Sequence, residues 1–174
     1  MKKYPIGIQD FRKLREGGHL YVDKTESIFH LITEGQYYFL SRPRRFGKSL
    51  LVSTLKYLFL GERELFDGLW IADRYDFEPH PVLHFSFSAL GYKDIGLERG
   101  LHQALNNKAE EAGFSLTQEG IGPRFQELIK RLAGNGQKVV LLIDEYDKPL
   151  VDYIDQQEQA AVNRDLLKNF FSVI

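Results

Sequence analysis

Residues 36–60 read QYYFLSRPRRFGKSLLVSTLKYLFL. A short apolar run, a basic loop and an apolar stripe follow one another without a gap. This order constrains the fold more than any other feature of the chain. The run 36–40 has the length and apolar character of a buried strand. From Lys48 to Leu60, the residues Leu51, Leu55, Leu58 and Phe59 recur at helical spacing. Strand, polar loop and helix is the context in which backbone N–H groups and a helix N-terminus receive a phosphate.

The loop ends in Gly47-Lys48-Ser49, the close of a Walker A pattern. Gly47 permits a close backbone approach, Lys48 supplies a cation for the β- and γ-phosphates, and Ser49 supplies a hydroxyl for Mg²⁺. The full pattern, G-x-x-x-x-G-K-[ST], asks for glycine at position 42, where this chain has Arg42. Pro43 biases Arg42 toward an extended backbone, so the loop is entered differently and not abolished. Pro43, Arg44, Arg45, Phe46, Gly47, Lys48, Ser49 and Leu50 form the candidate nucleotide-binding stretch.

Gly-Lys-Ser alone is common by chance. A second motif strengthens it. Residues 139–143, VVLLI, form an apolar run that ends in Asp144-Glu145, a Walker B pattern. An aspartate at the end of a buried strand orders the Mg²⁺ shell, and the following glutamate polarises a water. The reading is therefore ATP and Mg²⁺ as cofactors, Ser49 and Asp144 as metal ligands, and Glu145 as the catalytic residue.

The rest of the chain alternates in type. Asp23 to Gly35 reads as a helix, with Asp23 and Glu26 as a capping-box pair and Ile28, Leu31 and Ile32 on one face. Residues 81–90 read as a strand. Residues 95–112, with Leu97, Leu101, Ala104 and Leu105 on one side, and 123–133, with Phe125, Leu128, Ile129 and Leu132, read as helices. Val162, Leu166, Phe170 and Val173 stripe a last helix. Strands alternating with helices predict an α/β fold, a three-layer P-loop sandwich around a mostly parallel sheet. Residues 1–35 read as an N-terminal segment with a capped helix, and 36–174 as the P-loop core.

Four segments, YPIGIQDFRKL, YVDKTESIFHLI, FLSRPRRFGKSLLVSTLKYLF and VVLLIDEYDKPL, together resemble the bacterial AAA-ATPase-like family over essentially the whole chain. Arg42 belongs to that family's version of the loop. The resemblance implies a P-loop ATPase of the additional-strand, catalytic-glutamate type, with Lys48 on phosphate, Ser49 and Asp144 on Mg²⁺, and Glu145 as the catalytic acid. Its members are often followed by a PD-(D/E)XK nuclease-like domain and run longer than this chain. The strand expected after Walker B is not recognisable in 151–174. The resemblance thus implies a fragment truncated before the sensor strand, in which the strands 37–40 and 139–143 pair directly, share a filled slot or leave a gap. A homo-oligomer is among the expectations.

Tyr21, Asp23 and Lys24 either line the base pocket or belong to a capped helix, and the cap suffices for Asp23. Asp147 and Lys148 read as a turn before Pro149, and Tyr37, Tyr38 and Phe39 as core. His80 and His84 fall on a strand, where H-x-x-x-H spacing separates the rings, so a histidine metal site is not supported. No G-x-S-x-G elbow occurs.

Composition sets the remaining bounds. The chain has 174 residues, a formal charge of −1 and no cysteine. That excludes disulfides and thiolate metal sites and fits a cytoplasmic setting. Neither a secretory leader nor a membrane span is readable, so no membrane partner is expected. The charge is uneven, +6 over residues 1–60 and −7 over 61–174. Two alternatives follow: a nucleotide-switch module with little hydrolysis, and a nucleic-acid module using Arg12, Lys13, Arg15, Arg42, Arg44 and Arg45 on a phosphate backbone.

Overall fold

The computed structural model describes residues 3–41, 43, 45–134 and 136–174. The chain divides into two compact units, Met1–Val82 and Leu83–Ile174.

The first unit is helical. It contains α1 (Phe11–Glu16), α2 (Thr25–Glu34), α3 (Lys48–Phe59) and a 3₁₀ turn at Arg63–Phe66. Its core gathers Phe11, Ile28, Tyr57, Leu58, Leu65, Phe66, Ile71 and Phe77. Phe66 stands at the centre, with ring centroids 4.8 Å from Phe11 and 5.2 Å from Phe77. The single tryptophan, Trp70, is half-buried at the edge of this core. The Arg74 guanidinium lies 4.6 Å over its ring and Phe29 meets it edge-on at 5.6 Å. Asp10 starts α1 by accepting from the Lys13 N–H at 2.9 Å, as an N-cap aspartate does.

The run 36–40 is not a strand. Tyr37, Tyr38 and Phe39 are exposed by 78%, 53% and 73%, against the expectation of core. A strand takes its hydrogen bonds from neighbours and not from itself. Among its described residues the first unit holds only an isolated parallel bridge, Lys3 with His19, apart from the named helices. Apolar character alone therefore does not make this segment a strand.

The second unit combines strand and helix. β1 (Val82–Ser86) begins at its boundary; α4 (Tyr92–Ile95), α5 (Leu97–Glu111), α6 (Ile121–Ala133), β2 (Val140–Asp144), α7 (Lys148–Val151) and α8 (Gln157–Phe171) follow. β1 and β2 pair in parallel, joined by a crossover that carries α5 and α6, as parallel strands require. The α/β class holds. The sheet among the described residues has two strands, however, not the many of a three-layer sandwich. The expectation that 37–40 is one of the strands of the sheet is therefore not met. After β2 the described residues form only helices and turns.

Aromatic rings organise the second core. Phe125 of α6 stacks on Phe170 of α8 with centroids 4.4 Å apart and planes within 3°. Phe85 of β1 meets both edge-on, at 5.5 and 5.4 Å. Strand and two helices are joined through three rings, each pair in a geometry aromatic quadrupoles favour. Gly100 lets α5 approach the preceding turn: a Cβ there would stand 2.8 Å from the Leu90 carbonyl oxygen. α6 buries Phe125 and Leu128 on its expected face. The expected stripe of α8 packs on the core at Leu166, Phe170 and Val173 but not at Val162. Val162 is 55% exposed, and the buried face is Asn163, Leu167 and Phe170. Asn163 is admitted because its amide donates to the Pro149 carbonyl at 2.8 Å, which offsets the cost of burying a polar group. Among the described residues, no helix is long and apolar enough to cross a membrane.

Phe170 is fully buried among these rings, so Phe170→Ala is expected to destabilise the fold by about 3–5 kcal/mol. Denaturant unfolding followed by far-UV circular dichroism checks this; a loss below about 1 kcal/mol would contradict the packing described.

Candidate functional site

The stretch 43–50 lies in the first unit. Arg42 and Arg44 lie outside the described residues. Pro43, Arg45, Phe46 and Gly47 are exposed, while Lys48, Ser49 and Leu50 are half-buried in the first turn of α3. The backbone alternates in hand along the loop. Arg45 has φ +68° and Gly47 φ +76°, whereas Phe46 between them has negative φ. Such alternation turns successive N–H groups toward one side and forms a concave nest for an anion. The positive end of the α3 dipole lies directly behind it.

Gly47 is suited to its place for a conformational reason. It adopts the left-handed conformation, and a Cβ there would meet no protein atom within 4 Å. Arg45 adopts the same hand with a side chain, at a cost of about 1–2 kcal/mol.

What holds α3 behind the loop was not legible as a motif. One turn beyond Ser49, Ser53 and Thr54 are buried. The Phe11 N–H donates to Ser53 Oγ at 2.8 Å, and the Tyr57 hydroxyl donates to Asp10 Oδ2 at 3.0 Å. Thr54 Oγ1 donates to the Leu50 carbonyl at 2.8 Å. Two small hydroxyl residues interrupting an apolar stripe were the available signal. Burial works to raise the Asp10 carboxyl, yet the Lys13 N–H, the Tyr57 and Ser53 hydroxyls and nearby Lys56 hold it below its ordinary value. Tyr21 packs edge-on to Phe11 at 5.2 Å, and burial pushes its hydroxyl upward.

Asp23 is not the N-cap; Lys24 occupies that position without a side-chain bond, so the capping box is not formed. Asp23 acts as a staple instead. Its Oδ1 accepts from the Thr25 N–H at 2.8 Å and the Thr25 hydroxyl at 2.7 Å, and its Oδ2 accepts from the Trp70 N–H at 2.7 Å. Thr25 Oγ1 in turn accepts from the Ile71 N–H at 3.2 Å. A side chain with two oxygens is thereby drawn to a distant loop, and the cap is given up. Burial again opposes ionisation, and these donors, with Arg15, hold the carboxyl below its ordinary value. Arg12 pairs with Glu62 and with Glu16, and Arg15 donates to the carbonyls of Leu65 and Asp67. Both arginines are engaged within the first unit.

Asp144 and Glu145 lie in the second unit. Asp144, half-buried, ends β2, and Glu145 is exposed with φ +54°. The Lys148 N–H donates to the Glu145 carbonyl at 3.1 Å, closing a turn before α7. The expected turn at 147–148 is present, with Pro149 in the first turn of α7, but Lys148 does more than mark it. Its ammonium lies 3.5 Å from Asp152 Oδ2, which also accepts from the Tyr92 hydroxyl at 2.6 Å and pairs with Lys93 at 2.9 Å.

A family model described as Predicted AAA-ATPase matches residues 5–174. The chain belongs to this AAA-ATPase-like family. A relative from Azotobacter chroococcum mcd 1, described as an uncharacterized protein in the vnfD 5' region, is 48% identical over 177 residues. The match covers 99% of this chain and 34% of the relative, so the chain spans about a third of that protein's length. No solved structure matches. The family's description points to nucleotide use; residues 43–50 fall in the first unit and 144–145 in the second.

Asp10 and Asp23 both have folded values below the unfolded one of about 3.9. Their contribution is therefore complete above that value and is lost as pH falls through the depressed folded values. The Asp10→Asn, Asp23→Asn double variant is expected to be less stable at pH 7 and to lose less stability on acidification to about pH 3. Parallel decline of the unfolding midpoints of variant and wild type would contradict both sets of contacts.

Proposed function

We propose that this chain binds Mg-ATP and hydrolyses it. One observation carries the reading: the alternating backbone hand at Arg45, Phe46 and Gly47, set at the N-terminus of the 12-residue helix α3 that begins Lys48-Ser49. Membership of a family described as Predicted AAA-ATPase supports it.

The residues suit the ligand. The loop offers N–H groups and a Gly47 beside which a Cβ would meet no atom within 4 Å, and Lys48 would provide the cation. Ser49 in the first unit and Asp144 in the second are each hard oxygen donors of the kind Mg²⁺ takes. Mg²⁺, when bound, neutralises charge on the phosphate oxygens. In this reading the loop N–H groups would fix the phosphates, Lys48 would supply the cation for the β- and γ-phosphates, and Glu145 would act as the base toward a water. A nuclease-like domain beyond this segment, and assembly into a homo-oligomer, are part of the same proposal for the longer protein.

Lys48→Ala is expected to weaken Mg-ATP binding by at least about a hundredfold, roughly 2.7 kcal/mol. Unchanged affinity by calorimetry would remove the phosphate-loop assignment. Glu145→Gln should leave ATP bound while lowering phosphate release at least about a hundredfold. Equal release by variant and wild type would place the catalytic base elsewhere, and a wild type that binds ATP without releasing phosphate would favour a nucleotide switch.

A further inference from the structure

Asp152 lies just beyond α7, and three donors converge on one of its oxygens. Tyr92 and Lys93 come from α4, which follows β1; Lys148 comes from α7, which follows β2. The Asp152 side chain is 16% exposed and Tyr92 as a whole is 3% exposed. The donors thus belong to the segments that leave the two paired strands, and Glu145 lies on one of those segments.

The link to Glu145 is short. The Lys148 N–H closes the turn on the Glu145 carbonyl, and the Asp152 N–H donates to the Lys148 carbonyl at 2.9 Å. Lys148 is thus held at its backbone on both sides and at its ammonium by Asp152. Glu145 needs such restraint. At φ +54° a residue with a side chain relaxes to negative φ unless its surroundings hold it. The electrostatics agree with the geometry. Burial, and next the hydrogen bond to Asp152, push the Tyr92 hydroxyl upward, and the charge of Glu145 adds to the effect. The Tyr92 hydrogen bond, followed by Lys93, holds the Asp152 carboxyl down to about 2. Asp152 is therefore a fixed anion at every pH at which the protein would be assayed.

We propose that Asp152, through Lys148 and Tyr92, is the positioning residue that holds the Glu145 turn in its left-handed conformation. The inference rests on the nucleotide reading given above for Glu145's role, but the turn can be tested without it. The effect of Asp152 passes through the Lys148 backbone and α7.

The test compares wild type, Asp152→Asn, Tyr92→Phe and Asp152→Glu. It measures Mg-ATP affinity, steady-state phosphate release and hydrogen–deuterium exchange of amides 145–148. Loss of the fixed anion is expected to lower phosphate release about tenfold or more while affinity stays within about twofold, because misplacement of a base affects the chemical step and not binding. Exchange at 145–148 should quicken in Asp152→Asn and Tyr92→Phe, with α5 and α6 unchanged, and Asp152→Glu should restore part of both. Unchanged phosphate release in Asp152→Asn overturns the proposal, as does quickened exchange throughout the second unit, which would mark a general loss of stability. A wild type that binds no Mg-ATP overturns the nucleotide reading and the catalytic part of this one, and exchange at 145–148 then decides the structural part alone. Unchanged exchange there overturns it as well.

Discussion

The N–H of Phe11 finds its acceptor 42 residues away, in the hydroxyl of Ser53. It is one of the donors that a helix start leaves without an internal partner, and it is buried. A buried donor without an acceptor costs about 1–3 kcal/mol, so α1 and α3 are bound to one mutual orientation. Asp10 doubles the constraint through Tyr57. Rotation of α3 about its axis would break both contacts, and the rotation of α3 sets the direction of the N–H groups at its start. The character of the loop is in this sense decided a turn and more behind it, by residues that touch no phosphate.

Among the described residues, three with side chains adopt positive φ: Arg45, Phe77 and Glu145. Two of them fall in the segments read from the sequence as Walker A and Walker B. Phe77 shows that strain need not mark chemistry. Its ring is buried between Phe66 and Tyr75, at 5.2 and 5.3 Å, and packing keeps it there. Arg45 and Glu145 are exposed, and no comparable burial of their own side chains holds them. Positive φ at exposed residues is the arrangement expected where a loop must present its N–H groups or a carboxylate outward.

Helices were legible where their hydrogen bonds are their own. The stripe Leu97, Leu101, Leu105 and the set Phe125, Leu128 were read at the right spacing because an amphipathic helix writes its buried face into local sequence. The run Tyr37–Leu40 was not legible, since an aromatic segment becomes a strand only when neighbours supply a ladder. On α8 Phe170 was legible but Asn163 was not, because it is polar; its partner, the Pro149 carbonyl, lies on another element and leaves no trace in periodicity. Asp23 was recognised as structural, but its second oxygen reaches Trp70, and a contact across 47 positions cannot be inferred from a capping pattern. Gly47, Lys48 and Ser49 at the start of α3 and Asp144 at the end of β2 were placed on the expected elements. The Asp152 cluster was missed, because Tyr92, Lys93 and Lys148 become neighbours only through the parallel pairing of β1 and β2.

The chain's single tryptophan belongs wholly to the first unit, with its ring against the Arg74 guanidinium and Phe29 and its backbone N–H on Asp23. The second unit packs phenylalanine and tyrosine and contains no indole. Intrinsic emission excited at the red edge is therefore a private signal of the helical half. Phenylalanine and tyrosine bands report on both halves, so subtracting the two signals resolves events in the half that carries Glu145. The two units can be followed separately in one cuvette, without a label and without cutting the chain.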